Sequence, residues 1–175
     1  TAASLAQSDL TKIDVGRAGD RYFLLMAGIG FDAAVTETVC AQAKKRLGAI
    51  AYLKQAIQVA WNFRGERLNL RIDGKRVRGR IFMVVIGNSQ LYGGVFKLTA
   101  HATVNDGLLD VCVIKGQGML SAPQRLVSIF ARYYNRDSQV KYYQARQIEI
   151  RAQRGKILPV QVDGDYLGNT PMNFR

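Results

Sequence analysis

Residues 66–86 read ERLNLRIDGKRVRGRIFMVVI, and this stretch gives the clearest indication of the fold. Polar and apolar residues alternate over 67–72, which is the period of a β-strand with one buried face. The Asp-Gly pair at 73–74 is typical of a tight hairpin turn, and an uninterrupted apolar run follows over 81–86. The stretch therefore predicts a β-hairpin whose second strand is buried.

A second alternating pattern surrounds the Gly-Asp pair at 19–20 and predicts another hairpin over residues 10–28. The apolar face predicted for it consists of Leu10, Ile13, Val15, Tyr22, Leu24 and Met26. Further apolar or alternating stretches predict strands over 108–114, 145–152 and 157–162.

Three segments have helical periodicity instead. Asp32 is placed to cap a helix over 33–43, and a polar stripe runs along an otherwise apolar segment over 49–63. A third helix is predicted over 122–134, after a capping-box spacing. Since strands recur too regularly for a helical bundle, the sequence predicts a mainly β fold, an antiparallel β-sandwich or open barrel with two or three attached helices.

The charge of the chain indicates which classes of partner it is suited to bind. Its 175 residues have an ordinary globular composition and the length of one domain. The 25 Lys and Arg residues outnumber 13 Asp and Glu residues, which gives a formal net charge of +12. This excess favours a phosphate-bearing partner, which could be a nucleotide, a nucleic acid or an anionic membrane surface.

Cysteine and histidine are too few and too scattered for a zinc site or a disulfide framework, and a reducing cytoplasm fits best. The apolar run over 81–86 is far shorter than a membrane-spanning helix, so we expect any membrane contact to be peripheral. Because the chain begins at Thr1 and not at Met, we expect it to be a piece of a longer protein.

The common catalytic motifs GxGxxG, GxxxxGK[ST], GxSxG and HExxH do not occur. His101 has no evident nucleophile beside it and is expected to be a surface or hydrogen-bonded residue. Three Gly- and Asp-rich segments remain. Taken singly, residues 105–107 and 163–165 are typical of hairpin turns. Residues 28–32 lead into a helix N-terminus that could bind an anion, although the negative charge of Asp32 would disfavour such binding.

Taken in order, five segments resemble the C-terminal domain of the bacterial diacylglycerol kinase and lipid kinase family, which is related to sphingosine and ceramide kinases and distantly to NAD kinase. The resemblance covers nearly the whole chain and implies the β-sandwich fold of that domain. The segments are Ala27-Gly28-Ile29-Gly30-Phe31-Asp32-Ala33, Leu47-Gly48 with Tyr52-Leu53, Gly87-Asn88 with Tyr92-Gly93-Gly94, Asn105-Asp106-Gly107-Leu108-Leu109-Asp110-Val111, and Val162-Asp163-Gly164-Asp165.

The resemblance implies that a lipid hydroxyl, on diacylglycerol or a related lipid, attacks the γ-phosphate of ATP in the presence of Mg²⁺. Such transfer depends mainly on positioning and charge neutralisation. The family's proton acceptor corresponds to Asp165, and Asp163, two residues before it, is expected to assist it in catalysis. This chain has Asp where the family usually has Glu, so its carboxylate is shorter by one methylene.

The resemblance also implies a structural Mg²⁺ site formed by the carboxylate of Asp106 and the main-chain carbonyls of Thr103 and Leu108. Oxygen ligands completed by water are what Mg²⁺ prefers. The family often has Pro where this chain has Ala100.

The family's phosphate-binding GGDGT motif belongs to an N-terminal domain, and no such motif occurs here. The resemblance therefore implies that residues 1–175 form a single lipid-acceptor domain whose partner is its own N-terminal ATP-binding domain. We expect the chain alone to be inactive and the protein to be cytoplasmic, peripheral at the inner membrane face. Whether it forms a homodimer stays open.

The seven Lys and Arg residues over 64–80 fit attraction to anionic lipid head groups, although a solvated face that deters aggregation explains them equally well. Two alternatives differ in function. One is a family member that has become a lipid-binding or regulatory protein without kinase activity. The other is a basic β module for nucleic acid, but the hairpin lacks the spaced aromatic residues that stack on bases, so no nucleic-acid partner is expected.

Overall fold

The computed structural model describes residues 10–38, 63–92, 96–116, 138–153 and 155–175. The described residues form strands β1 (Gly16–Ala18), β2 (Arg21–Phe23), β3 (Met26–Gly30), helix α1 (Phe31–Thr38), and strands β4 (Glu66–Ile72), β5 (Lys75–Val77), β6 (Arg80–Gly87), β7 (Leu91–Tyr92), β8 (Phe96–Lys97), β9 (Leu109–Lys115), β10 (Val140–Ala145), β11 (Ile148–Ala152), β12 (Pro159–Val162), β13 (Asp165–Asn169) and β14 (Met172–Phe174).

Twelve strands form one strongly bent antiparallel sheet. Its order is β13-β12-β3-β6-β4-β11-β14-β1-β2, with β9 and β10 added beside β6 and β5 beside β4. Strand β4 joins two layers, because Glu66 and Arg67 pair with β6 whereas residues 68–72 pair with β11. The sheet thus folds over itself, and the antiparallel β-sandwich predicted from the sequence is confirmed.

The main core lies between the two layers. Leu70, Ile148 and Phe174 contribute from one layer, and Val84 and Val160 from the other. A second cluster lies on the outer face of β6, where Val85 packs under α1. Strand β6 is therefore buried on both faces, which explains its uninterrupted apolar run.

The turn predicted at 73–74 is confirmed between β4 and β5, with Asp73 and Gly74 in the left-handed conformation at φ 45° and 77°. The buried second strand predicted for this hairpin is wrong, because β5 is short and mostly exposed, and the apolar run belongs to the separate strand β6. The strands predicted over 108–114 and 157–162 correspond to β9 and β12, and that over 145–152 contains β11. Strands β10, β13 and β14 were not predicted from the sequence, because they have few strictly alternating apolar residues.

The turn at 19–20 is also confirmed, between β1 and β2, but the apolar face predicted for residues 10–28 is wrong. Leu10, Val15 and Tyr22 are exposed, whereas Ala18 and Phe23 enter the core. Strands β1 and β2 are only three residues long. Only residues close to the turn therefore reach the core, and residues that flank the two strands stay exposed.

Helix α1 begins at Phe31 and corresponds to the predicted helix over 33–43 as far as the structure describes it. The helices predicted over 49–63 and 122–134 fall almost entirely outside the described residues. Nothing in the described ranges forms a helix with the length and hydropathy needed to cross a bilayer.

Candidate functional site

The strand register brings the two acidic loops to one end of the sheet. Val162, the last residue of β12, lies opposite Ala27, while Met26 lies opposite Gly87 at the end of β6. Gly87 in turn lies opposite Asp110 near the start of β9. The loops at 24–25, 88–90, 105–108 and 163–165 therefore share one edge, which we call the acidic rim, and strands β12 and β9 are about 14 Å apart.

Asp163 anchors the turn between β12 and β13. Its Oδ2 accepts a hydrogen bond from Leu24 N at 2.8 Å, and its Oδ1 accepts from Leu25 N and Met26 N at 2.9 Å each. Asp163 also has φ 47°, a left-handed conformation that Asp tolerates better than most residues. Both carboxylate oxygens thus serve to hold the turn against the start of β3.

The same segment links the turn to the second acidic loop. Leu25 O accepts a hydrogen bond from Asn88 N at 2.9 Å. The Asn88 amide group donates to Asp14 O at 2.8 Å and to Leu24 O at 3.0 Å. Asp14 Oδ2 accepts from Gly107 N at 2.7 Å. A continuous hydrogen-bonded network therefore fixes the two acidic loops relative to each other.

Asp165 differs from Asp163 in the hydrogen bonding of its carboxylate. It is the first residue of β13 and is exposed. No other described residue donates a hydrogen bond to its carboxylate. Of the two acidic residues in this turn, Asp165 is the one whose oxygens are available to a substrate.

The loop around Asp106 can supply oxygen ligands to a cation. Asp106 Oδ1 accepts a hydrogen bond from Leu108 N at 3.0 Å, which leaves Oδ2 for another partner. The loop from Thr103 to Gly107 is exposed, so water can complete a coordination shell. The residues present thus fit Mg²⁺, although the described part of the chain contains no cluster of three or more His, Cys, Asp or Glu side chains.

A buried pair supports the turn from below. Gln161 Nε2 donates to Asp32 Oδ2 at 2.7 Å, and Gln161 Oε1 accepts from Gly164 N at 2.8 Å. Only 3% of Asp32 and 2% of Gln161 is exposed. Burial raises the pKa of Asp32 to about 6, partly offset by the hydrogen bond from Gln161. The capping role predicted for Asp32 is wrong, because α1 begins at Phe31 and includes Asp32 in its first turn. Its carboxylate instead binds Gln161, which holds the turn of the catalytic candidate.

A further carboxyl group of the rim is buried. Asp110 lies at the start of β9, and Gln144 Nε2 donates to its Oδ2 at 3.4 Å. Burial raises the pKa of Asp110, helped by the negative charge of Asp106, while the hydrogen bond from Gln144 and the nearby His101 lower it. His101 itself is exposed, as expected from the sequence.

Apolar side chains surround the acidic rim. Leu24 and Leu25 are 51% and 52% exposed, directly beside the amides that bind Asp163. Ile13 flanks Asp14, and Val104 belongs to the loop that carries Asp106. Apolar residues exposed around a polar centre are typical of a surface that another molecule or domain covers.

Sequence reasoning missed Asp14 and Gln161 as parts of this site. Asp14 has no local pattern that distinguishes it from an ordinary loop residue. Gln161 did offer a signal, since it is a polar residue inside the otherwise apolar segment Pro159–Val162. A polar side chain in a buried strand must find a hydrogen-bond partner in the core.

The chain is similar to bacterial lipid kinases. It is 33% identical over 163 residues to a probable lipid kinase YegS-like of Pseudomonas putida, and the matched region covers 93% of this chain and 52% of the relative. It is 24% identical over 162 residues to a diacylglycerol kinase of Bacillus subtilis, covering 93% of this chain and 53% of the relative. The chain thus spans about half the length of these relatives.

The fold is also similar to solved structures. A putative diacylglycerol kinase from Bacillus anthracis superposes with a TM-score of 0.71 at 24% identity, covering 94% of this chain and 54% of that one. The family model for the YegS C-terminal NAD kinase beta sandwich-like domain matches residues 26–175, from the first residue of β3 to the last of the chain. The chain therefore belongs to the family of YegS C-terminal, NAD kinase beta sandwich-like domains, as its sequence motifs suggested.

Proposed function

We propose that this chain is the lipid-acceptor half of an ATP-dependent lipid kinase, which phosphorylates the hydroxyl of diacylglycerol or a related lipid. Membership of the YegS family and the names of the similar proteins support a lipid kinase. The observation that carries the assignment of the site is a contrast within one turn. The carboxylate of Asp163 accepts three backbone hydrogen bonds, whereas that of Asp165 accepts none from the described residues.

In this proposal Asp165 accepts the proton of the lipid hydroxyl while the hydroxyl oxygen forms its bond to the γ-phosphorus of ATP. The bond from that phosphorus to the bridging oxygen breaks, and ADP leaves. Asp163 does not exchange a proton but assists by holding the turn. A positioned general base contributes on the order of a hundredfold to ten-thousandfold to such a reaction.

Mg²⁺ would be held at the loop by Asp106 Oδ2 and the carbonyl oxygens of Thr103 and Leu108, where it would neutralise negative charge. The loop's own contribution is to hold these oxygens in place, through the hydrogen bonds of Gly107 N to Asp14 and of Leu108 N to Asp106. ATP would be bound mainly by the N-terminal half of the protein.

The exposed apolar residues of the acidic rim give this N-terminal half, or the lipid itself, a surface to contact. The net charge of +12 would favour the approach to an anionic membrane, where a lipid substrate resides.

The test uses the full-length protein with radioactive ATP and diacylglycerol vesicles. Asp165→Ala is expected to lower the initial rate of lipid labelling at least about a hundredfold. Asp165→Glu, which restores the residue usual in the family, is expected to remain active. Glu149→Ala removes a carboxylate from the other layer of the sandwich and serves as the matched control. Unchanged turnover in Asp165→Ala would remove this residue from the mechanism.

The Asp in place of the usual Glu favours one second candidate, a lipid-binding or regulatory protein without kinase activity. That protein would bind diacylglycerol vesicles as the kinase does, but neither the full-length wild type nor Asp165→Glu would label the lipid.

A further inference from the structure

A second charged feature lies at the other end of β6 from the acidic rim, and its charge is positive. Arg80 begins the strand and Gly87 ends it, seven positions later and about 23 Å away. Beside Arg80 lies a cleft of about 610 Å³, whose lining includes Arg67, Leu68, Arg76, Arg78, Arg80 and Lys115. We call it the arginine cleft. Its size is that of a small-molecule site.

The arginine cleft concentrates like charges that the fold does not need. Arg67 lies directly opposite Arg80 across the β4–β6 pair, and both residues line the cleft. Like charges directly opposite each other destabilise a sheet. Such an arrangement is more readily understood if an anion binds among the guanidinium groups.

The described residues that line the arginine cleft include no carboxylate, and Arg67, Arg76 and Arg78 form no ion pair in the described part of the chain. The nearby Glu66 is already paired with Lys156. The guanidinium groups of these three arginines are therefore available to a ligand.

The lining also indicates the kind of anion. Guanidinium groups bind phosphate through two parallel hydrogen bonds. Lys115 adds a point charge beside Gly79, because its Nζ lies 3.8 Å from the position that a Cβ on Gly79 would take. Among the described residues of the lining, Leu68 is the one large apolar residue, and its side chain is buried in the core. The cleft thus offers polar contacts for a head group but no apolar surface for an acyl chain.

We propose that the arginine cleft binds a phosphomonoester, in the head group of an anionic lipid or in a small soluble phosphate compound. The three available guanidinium groups match a doubly charged phosphate better than a singly charged phosphodiester. The cleft is separate from the acidic rim, so its occupation does not depend on the phosphoryl transfer proposed there.

The test compares two double variants of this chain that lose the same charge. Arg67→Gln with Arg78→Gln alters the cleft, whereas Arg21→Gln with Arg71→Gln removes two exposed arginines that do not line it. Binding of glycerol 3-phosphate is measured by calorimetry. Binding of phosphatidylcholine vesicles with and without phosphatidic acid is measured by sedimentation at the same ionic strength.

The cleft variant is expected to bind at least about tenfold more weakly, and the control no more than about threefold more weakly. Loss of glycerol 3-phosphate binding would identify a soluble ligand, and loss confined to phosphatidic acid vesicles a lipid head group. An equal loss in both variants, no binding of either probe by the wild type, or tighter binding of an oligonucleotide would overturn the proposal. Because the assay needs no ATP, it is independent of the lipid kinase assignment.

Discussion

Two acidic residues of one turn have separate tasks in this domain. Asp163 has a left-handed backbone conformation that Gly would adopt more easily, yet Gly could not accept the three amide hydrogen bonds. Asp165 contributes nothing comparable to the described structure. The first residue is explained by its hydrogen bonds to the backbone, whereas the described contacts give no structural role to the second.

Asp163→Ala is therefore expected to lower the free energy of unfolding by about 2 kcal/mol, because three backbone amides lose a charged acceptor. Asp165→Ala should leave it unchanged. Urea denaturation of both variants measures the difference. Equal stability of the two variants would contradict the anchoring role of Asp163.

The buried Asp32 predicts a pH dependence of stability. Its pKa is about 6 in the folded protein against an ordinary value of 3.8, so folding favours the protonated form. The contribution of Asp32 to stability is fully present below the unfolded pKa and is lost as the pH rises through 6. The loss above this range is on the order of 3 kcal/mol.

Asp32→Asn keeps an oxygen that can accept from Gln161 and removes the ionisation. We expect the free energy of unfolding of the wild type to rise by about 1 kcal/mol relative to that of this variant when the pH falls from about 7 to about 5. Thermal unfolding at both pH values measures the change, with the exposed Glu37→Gln as control. A parallel pH dependence of wild type and Asp32→Asn would show that Asp32 ionises normally.

At the scale of elements, the glycines of the segment 27–33 make room for the junction of β3 and α1. A Cβ on Gly28 would overlap Asp32 Oδ2 and would lie 2.6 Å from Gln161 Nε2. Gly30 has φ 88°, and a Cβ there would lie 2.8 Å from Phe82 O. The described packing thus accounts for these glycines without an anion at the helix N-terminus.

Gly28→Ala is expected to lower the free energy of unfolding by about 3 kcal/mol through overpacking. Gly19→Ala, at a turn with φ 56° and open space around it, should cost only about 1 kcal/mol. Combining Gly28→Ala with Asp32→Ala should cost less than the sum of the single changes, because the overlapping carboxylate is gone. Strict additivity in chemical denaturation would exclude the steric explanation.

At the scale of the whole molecule, the two charged features lie at opposite ends of one strand. The acidic rim lies at the end of β6 and the arginine cleft at its start, about 23 Å apart. The rim is also bordered by exposed apolar residues, whereas the cleft lining is mainly polar and charged. The two ends are therefore suited to different partners.

The chain by itself is expected to transfer no radioactive phosphate from ATP to diacylglycerol, whereas the full-length protein should do so. The reason is that the chain lacks the GGDGT motif and has no other nucleotide-binding loop motif. The full-length Asp165→Ala protein gives the background of the assay. Labelling by the chain alone, above that background, would show that it binds ATP productively.

The sequence by itself determined the class of the fold and the identity of the acidic turns. Alternation over 67–72 and the Asp-Gly pair at 73–74 are local, and a strand or hairpin turn depends on just such local patterns. The motifs at 105–107 and 163–165 were visible in the same way. Short strands with weak alternation, such as β13 and β14, gave no comparable signal.

Only the tertiary structure decided which residues meet. Asp163 reaches amides nearly 140 positions away, and Gln161 reaches Asp32 across 129 positions. These contacts arise because β12, β3, β6 and β9 are neighbours in the sheet although they are distant in the chain. Strand pairing over such separations depends on how the whole core packs, so no local pattern could have distinguished the anchoring Asp163 from the exposed Asp165.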